Sequence, residues 1–128
     1  MATPPPQLNV SSLSMEQYHK ISDEAMDTLL EELEVIIEDN GDPSYEVEYH
    51  SGVLTLKLGD TGTYVINKQP PNKQIWLSSP FSGPKRYDYD ESDGSWRYSR
   101  DNKRLDELLN EELGRTFTTK IQLTLSSK

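Results

Sequence analysis

Carboxylates recur at one-turn spacing in the first part of the chain. Asp23, Asp27 and Glu31 follow one another at intervals of four residues, and Glu34 and Glu38 repeat that interval. Side chains four residues apart are neighbours on a helix surface, where like charges destabilise the helix by about 0.2–0.5 kcal/mol per pair. A bound cation would relieve this repulsion, and hard cations prefer carboxylate oxygen. The pattern therefore indicates either a weak cation-binding surface or a solubilising helix face.

Negative charge is concentrated in the same region. Residues 16–48 hold 12 acidic residues against Lys20, a net charge of −11, whereas the whole chain carries −9. The segment 63–86 has no acid and four basic residues, which are Lys68, Lys73, Lys85 and Arg86. This distribution predicts two faces of opposite sign. An acidic domain disfavours nucleic acid, because phosphate contacts need a basic surface, and it favours cations or basic protein surfaces.

Trp76 is the second feature that could serve a function. Alternate side chains of a strand point to opposite faces, so Trp76 shares its face with Gln74 and Ser78, whereas Ile75 lies on the other. An aromatic side chain among amides and positive charge is typical of a protein interface, where Trp and Arg often carry most of the binding energy. The alternative is that Trp76 packs beneath the loop 82–86. The candidate partner-binding residues are Asn67, Gln69, Asn72, Lys73, Gln74, Trp76, Ser78 and Arg86.

An α-helix is needed to bring the first set of carboxylates onto one face. Ser14 is a suitable N-cap, and Gly41 and Pro43 end the periodic segment, so a helix is predicted from Ser14 to about Asn40. Its apolar stripe consists of Tyr18, Ser22, Ala25, Leu29, Leu33 and Ile36, which fall within roughly 40° of one direction. Seven acidic residues lie roughly 120° or more away from that direction: Glu16, Asp23, Glu24, Asp27, Glu31, Glu34 and Glu38. The helix is therefore predicted to be apolar on one side and acidic on the other.

Short alternating segments separated by turn residues predict six strands. They cover residues 45–49, 53–58, 63–67, 74–79, 86–89 and 96–99. Connections this short favour an antiparallel meander. Glu46 and Glu48 share one face of the first strand and extend the acidic series, whereas Trp96, in register with Tyr98, is assigned to the core side.

A second helix is predicted from about Arg104 to Phe117, and the alternating tail, residues 121–125, is expected to pack against the helices. The fold class is therefore α+β: a two-layer α/β sandwich with an antiparallel sheet of about six strands and two helices packed on one face. Residues 1–14, which include three consecutive prolines, are expected to form a flexible lead-in, and residues 15–128 a single domain. The chain has no cysteine for a thiolate site and no run that approaches a membrane span, so we expect a soluble protein.

The segment 62–88, GTYVINKQPPNKQIWLSSPFSGPKRYD, closely resembles the sheet signature of eukaryotic frataxins. The flanks agree, since Tyr18-His19 enters an acidic first helix and both Ser51 to Thr55 and Leu105 to Leu109 fit the pattern. The resemblance covers about residues 14–125. It implies an α/β sandwich protein of the mitochondrial matrix that binds iron weakly. It also implies that the protein joins the complex of cysteine desulfurase and iron–sulfur scaffold to promote cluster assembly.

The same resemblance assigns roles to residues. It implies that Fe2+, with Fe3+ as the alternative state, binds at the acidic positions, and ferrous iron accepts carboxylate and imidazole ligands. The implied metal ligands are His19, Asp23, Glu24, Asp27, Glu31, Glu34, Glu38, Glu46 and Glu48. For His19 the alternative is an ordinary exposed histidine. The spacing gives no closed cage, so we expect open, hydrated and weak sites, and the partner-binding residues named above are implied to contact the assembly complex.

Two functions follow. The first is a non-enzymatic regulator that activates the assembly complex or supplies its iron; the alternative is a ferroxidase or iron-storage protein that oxidises Fe2+ to Fe3+ and works by oligomerising. No catalytic residue is assigned, because no Ser–His–acid constellation is supported and paired Glu-x-x-His helices are absent. We expect a monomer, with an iron-dependent oligomer as the alternative, and neither nucleic acid nor membrane as a partner. The lead-in is not Arg-rich, so no transit peptide is expected in this chain.

Overall fold

The computed structural model describes residues 13–40 and 42–125, and its elements follow one another in the predicted order. Two helices bracket six strands: α1 is Met15–Asn40, β1 Glu46–His50, β2 Val53–Lys57, β3 Thr63–Gln69, β4 Gln74–Ser79, β5 Gly83–Asp90, β6 Ser95–Tyr98 and α2 Leu105–Phe117. Single 3₁₀ turns at Gly59–Thr61 and Pro70–Asn72 precede β3 and β4. Within the described residues, neither helix is long and apolar enough to cross a membrane.

The six strands form one antiparallel sheet in which each strand pairs with the next one in sequence. Alternation gives the sheet an inner face, where buried side chains such as Leu56, Ile66 and Leu77 meet the helices, and an outer face that neither helix covers. Leu29 of α1 and Leu109 of α2 are completely buried in the same core cluster. The predicted α+β sandwich, with both helices on one side of the sheet, is therefore confirmed.

Trp96 belongs to this core, as predicted. Its side chain is 1% exposed, and its ring centroid lies 5.2 Å from that of Tyr89. The tail also packs back as expected, with Ile121 and Leu123 buried. Asn110 of α2 fixes the tail, since its Oδ1 accepts the backbone N–H of Leu123 at 2.6 Å and its Nδ2 donates to the Leu123 carbonyl at 3.0 Å.

Helix α1 begins where the sequence predicts. Ser14 Oγ accepts the backbone N–H of Gln17 at 3.0 Å, and Gln17 Oε1 accepts the N–H of Ser14 at 2.9 Å, which together form a capping box. Leu13 is buried in the core. Residues 1–12 of the predicted lead-in lie outside the described residues, as does Gly41, the predicted helix stop.

The start of β5 differs from the prediction. The sequence predicts a strand over residues 86–89, but β5 begins at Gly83. The chain reverses earlier because Ser79 Oγ accepts the N–H groups of Phe81 at 3.0 Å and Ser82 at 3.1 Å. Pairing with β4 therefore starts at Gly83, three residues earlier than predicted.

A buried carboxylate holds this reversal in place. Glu112 of α2 is 3% exposed; its Oε1 accepts hydrogen bonds from Ser79 Oγ at 2.6 Å and Tyr64 Oη at 2.7 Å, and its Oε2 accepts one from Ser82 Oγ at 2.7 Å. Burial opposes ionisation, but the hydroxyl donors outweigh it and hold the pKa of Glu112 below its ordinary value. Helix α2 is thereby tied to the β4–β5 turn, a contact that the sequence did not predict.

Candidate metal-binding and partner-binding surfaces

The carboxylates predicted as metal ligands lie where the helix period places them. Tyr18, Leu29 and Leu33 of α1 are buried, and the acidic residues occupy the solvent side. We call acidic surface the set formed by Asp23, Glu24, Asp27, Glu31, Glu34, Glu38, Glu46 and Glu48. Each of these side chains is exposed except that of Glu48, which is partly exposed. The acidic surface is therefore open to solvent along its length.

The acidic surface is divided between two sides of α1. Glu34, Glu38 and Glu46 border a shallow depression between α1 and β1. Glu24 and Glu31 instead border two cavities that the C-terminal tail helps to form. Within the described part of the chain, no three histidine or carboxylate side chains come together as a preformed metal site. The geometry therefore offers exposed carboxylates with room for water rather than a cage.

Asp42 borders the same depression and was not among the predicted ligands. Its Oδ1 accepts hydrogen bonds from both the backbone N–H and the Oγ of Ser44 at 2.9 Å. These bonds hold the pKa of the Asp42 carboxyl below its ordinary value. An Asp two residues before a Ser is typical of a turn, so the sequence pattern indicated chain reversal here rather than a ligand.

Lys57 partly neutralises the β1 carboxylates. Its Nζ lies 3.6 Å from Glu46 Oε1 and 3.7 Å from Glu48 Oε1. His50 adds a second contact, with its Nε2 3.7 Å from Glu48 Oε2. The Lys57 side chain is 50% exposed, so solvent screens these pairs and each contributes little to stability. A cation could displace Lys57 here with little loss of folding free energy.

Lys68 contacts the acidic surface at Asp23, in the first half of α1. Its Nζ donates to Asp23 Oδ1 at 2.7 Å and lies 2.9 Å from His19 Nδ1. An ammonium group only donates, so His19 Nδ1 is the acceptor in this contact. The Lys68 side chain is 10% exposed, whereas that of Asp23 is 55% exposed. His19 and Asp23, both predicted as metal ligands, are therefore already bound to a cation of the protein itself.

The expected basic face is not formed by the segment that suggested it. Of its four basic residues, only Arg86 lies on the outer face of the sheet. Lys68 and Lys85 stand opposite buried apolar residues of β4, which places them on the inner face, and Lys73 lies in the turn before β4. The outer face also carries Asp88, in register with Gln74. Because side chains alternate along each strand, a run of basic residues is split between the two faces.

Trp76 lies on the outer face, is partly exposed and does not enter the core. It stands in register between Asn67 of β3 and Arg86 of β5. The guanidinium carbon of Arg86 lies 4.6 Å from the indole ring centroid, within the range of a cation–π contact. The indole Nε1 donates to Gln74 Oε1 at 2.8 Å. Trp76 is therefore held in one orientation by its sheet neighbours while part of it is accessible to a partner.

Most of the other predicted partner-binding residues share this face. The outer face includes Asn67, Gln69, Gln74, Trp76, Ser78 and Arg86. Asn72 is exposed in the preceding 3₁₀ turn, but Lys73 points elsewhere, since its Nζ donates to the carbonyl of Leu13 at 2.6 Å. Asp88 was not predicted, although its strand position, two residues after an outward-facing arginine, could have identified it. Its Oδ1 accepts a hydrogen bond from Gln74 Nε2 at 3.0 Å.

Comparison with known proteins matches most of the chain. Residues 11–119 match a family model described as a frataxin-like domain. The chain is 44% identical over 110 residues to "Frataxin homolog, mitochondrial" of Schizosaccharomyces pombe, covering 86% of this chain and 70% of the relative. It is 46% identical over 118 residues to "Frataxin, mitochondrial" of Arabidopsis thaliana, covering 89% of this chain and 61% of that relative. The chain thus spans about two thirds of the length of these relatives.

Solved structures share the fold. The crystal structure of trimeric frataxin from the yeast Saccharomyces cerevisiae, described as complexed with ferrous iron, superposes with a TM-score of 0.70 at 42% identity. That match covers 91% of this chain and 100% of the yeast chain. Frataxin from Psychromonas ingrahamii superposes with a TM-score of 0.70 at 20% identity, and it shows the fold alone.

Proposed function

The chain belongs to the frataxin family, and from this membership we propose that it is an iron-binding regulator of mitochondrial iron–sulfur cluster assembly. In this role it binds the complex of cysteine desulfurase and iron–sulfur scaffold and either activates it or supplies its iron. The observation that carries the proposal is the position of Trp76, held by Arg86 on the sheet face that neither helix covers. A partner can cover this face while the carboxylates of α1 stay in solvent.

The outer face suits a protein partner because its central groups are already ordered. Gln74 accepts the indole N–H of Trp76 and donates to Asp88, so three neighbouring side chains are fixed before any partner arrives. Fixing side chains in advance lowers the entropy that binding must overcome. Trp and Arg at the centre of such a face are the residue types that most often dominate binding energy.

The depression beside β1 is the part of the acidic surface best suited to iron. Glu34, Glu38 and Glu46 border it, and Asp42 adds a fourth carboxylate. Oxygen ligands on an open surface leave most coordination positions to water, which favours weak binding and ready release. The yeast relative described as complexed with ferrous iron supports iron as the metal.

The relatives named above as mitochondrial support a mitochondrial location. We place the protein in the matrix, together with the assembly complex that its family resemblance implies.

Reconstituted assembly tests the proposal directly. Sulfide release and cluster formation by the desulfurase–scaffold complex are measured without oxygen, with and without this protein. We expect both rates to rise on its addition, and the rise to saturate as the complex becomes fully bound. Unchanged rates at saturating protein, together with no detectable binding to the complex, would refute the proposed function.

A ferroxidase or iron-storage protein is the second candidate. The trimeric yeast relative described as complexed with ferrous iron is the observation in its favour. Carboxylates also favour the more highly charged ion, so oxidation of Fe2+ on the acidic surface is chemically reasonable. Oxygen uptake and particle size, followed during Fe2+ addition in air, distinguish the two. Rapid oxygen uptake with growth of the particles, and no effect on the assembly complex, would favour storage.

A further inference from the structure

Lys68 occupies the position that a metal ion would take between His19 and Asp23. These two residues are four apart on α1, and ligands at that spacing on one helix face can bind a single ion. Their side chains converge on one point, since His19 Nδ1 and Asp23 Oδ1 lie 2.9 Å and 2.7 Å from Lys68 Nζ. An ion bridging the two atoms would have to displace the ammonium.

The ammonium is held in this place by its surroundings. Lys68 stands on β3 in register with Ile75, so the strand pairing directs its side chain towards α1. Its Nζ lies 5.7 Å from the ring centroid of Tyr18. That ring is itself fixed, since its hydroxyl donates to the Gln74 carbonyl at 2.7 Å and accepts the N–H of Gln69 at 3.0 Å. Displacement of Lys68 would therefore leave a positive charge beside the incoming ion.

Lys57 provides the contrast. It contacts two carboxylates of β1 from a half-exposed position at 3.6 Å and 3.7 Å, and it can swing into water. Lys68 is only 10% exposed and contacts its two acceptors at hydrogen-bond distance. Lys57 therefore leaves the β1 carboxylates accessible to a metal ion, whereas Lys68 blocks His19 and Asp23.

We propose that Lys68 excludes divalent metal ions from the His19–Asp23 pair and so confines them to the carboxylates further along α1 and on β1. The exclusion needs no particular metal. Its connection to iron rests on the proposed function, in which the acidic surface binds Fe2+. Lys68 is thus a residue that determines where metal binds, although it is not itself a ligand.

The test removes the positive charge of Lys68 and keeps most of its aliphatic stem. Fe2+ is titrated without oxygen into the 15N-labelled wild-type protein, Lys68→Met and Lys20→Met, while amide and imidazole signals are followed. Lys20 is the matched control, because it is the neighbour of His19 on α1, is exposed and makes no ion pair among the described residues. We expect Lys68→Met to gain a site at His19 and Asp23, at least about tenfold tighter there than wild type, and Lys20→Met to resemble wild type.

Two further variants make the result decisive. Adding His19→Ala to Lys68→Met should abolish the gained site, and Lys68→Gln should reproduce it if Lys68→Met does not fold, as judged by its melting temperature. Wild-type binding centred on His19, or no gain at His19 in folded Lys68 variants, would overturn the proposal. If the wild type binds Fe2+ nowhere but Lys68→Met binds at His19, the exclusion stands and the iron part of the proposed function fails.

Discussion

The guanidinium carbon of Arg86 lies 4.6 Å from the ring centroid of Trp76, on the sheet face that neither helix covers. A cation–π contact at an exposed site contributes roughly 0.5–1 kcal/mol, too little for the fold to depend on it. Trp96, on the opposite face of the sheet, is buried. We therefore expect substitution of Trp76 to affect binding and substitution of Trp96 to affect stability.

Replacing Trp76 with Ala is expected to weaken binding to the desulfurase–scaffold complex by about 2 kcal/mol or more, roughly 30-fold, because large aromatic side chains dominate interfaces. The melting temperature should change little, since the indole is outside the core. Binding is measured by titration calorimetry and stability by thermal unfolding. The matched control, Trp96→Ala, should lose about 3–5 kcal/mol of unfolding free energy. A Trp76→Ala variant that binds normally but melts far below wild type would contradict the assignment.

Replacing Arg86 with Gln is expected to weaken the same interaction by about 1–2 kcal/mol, because the variant loses both a charge and the group that orients Trp76. The control is Lys85→Gln, which removes the same charge from the preceding residue, on the inner face of the sheet. Surface plasmon resonance at two salt concentrations compares the variants. An equal loss of affinity in Arg86→Gln and Lys85→Gln would show that net charge, rather than the outer face, determines binding.

The Glu34→Gln/Glu38→Gln double variant is expected to lose most of the Fe2+ binding at the depression beside β1, because it removes two of the carboxylates that border it. The Glu24→Gln/Glu31→Gln double variant removes the same charge from the side of α1 that faces the tail, and it should retain that binding. Anaerobic Fe2+ titration followed by NMR compares them. A greater loss of Fe2+ binding in the Glu24→Gln/Glu31→Gln variant would put the iron on the side of α1 that faces the tail and would contradict the proposal.

Replacing Glu112 with Ala is expected to destabilise the fold by about 3 kcal/mol or more, since three hydroxyl donors lose a buried acceptor. Glu111→Ala is the control: its partner Lys103 lies at the surface, and an exposed pair contributes less than about 1 kcal/mol. Urea unfolding measures both. A Glu112→Ala variant as stable as Glu111→Ala would mean that the hydroxyl groups find other partners.

Glu112 should also make stability depend on pH. Its pKa is lower in the folded chain than the ordinary value of 4.5, so the stabilisation is present above that value and is lost as pH falls through the folded pKa. Urea unfolding from pH 7 down to about pH 3 should show that the advantage of wild type over Glu112→Gln is largest near neutrality and shrinks in acid. If the difference in unfolding free energy between wild type and Glu112→Gln stays constant over this range, the acid sensitivity belongs to other carboxyl groups.

Local patterns were sufficient to predict the order of the elements and most of their bounds, although β5 starts earlier than predicted. The 3.6-residue period identified the buried stripe of α1, and strand alternation assigned Trp76 and Trp96 to opposite sides of the sheet. These features depend only on residues that are close together in the sequence, so a single sequence is enough to predict them. Strand alternation also placed six of the eight predicted partner-binding residues on the outer face, whereas the direction of Lys73 depends on a distant segment, since its Nζ contacts the carbonyl of Leu13.

Contacts between distant segments were missed for the same reason. Lys68 reaches His19 and Asp23 across 49 and 45 positions, and Glu112 reaches Tyr64 across 48. No period or turn pattern predicts such a pairing. Strand alternation alone puts Lys68 on the same face as Ile66, but its acceptors His19 and Asp23 on α1 could not be identified from the sequence.

The contact between Glu32 and the tail has a consequence for the growing chain. The carboxylate of Glu32 accepts the backbone N–H of Thr124, which is synthesised 92 positions later. Every strand can pair as soon as its successor has left the ribosome, because the sheet is ordered as the sequence is. One flank of α1 is nevertheless covered only after residues 121–125 have been made, so this helix is synthesised before the sheet but is enclosed after it.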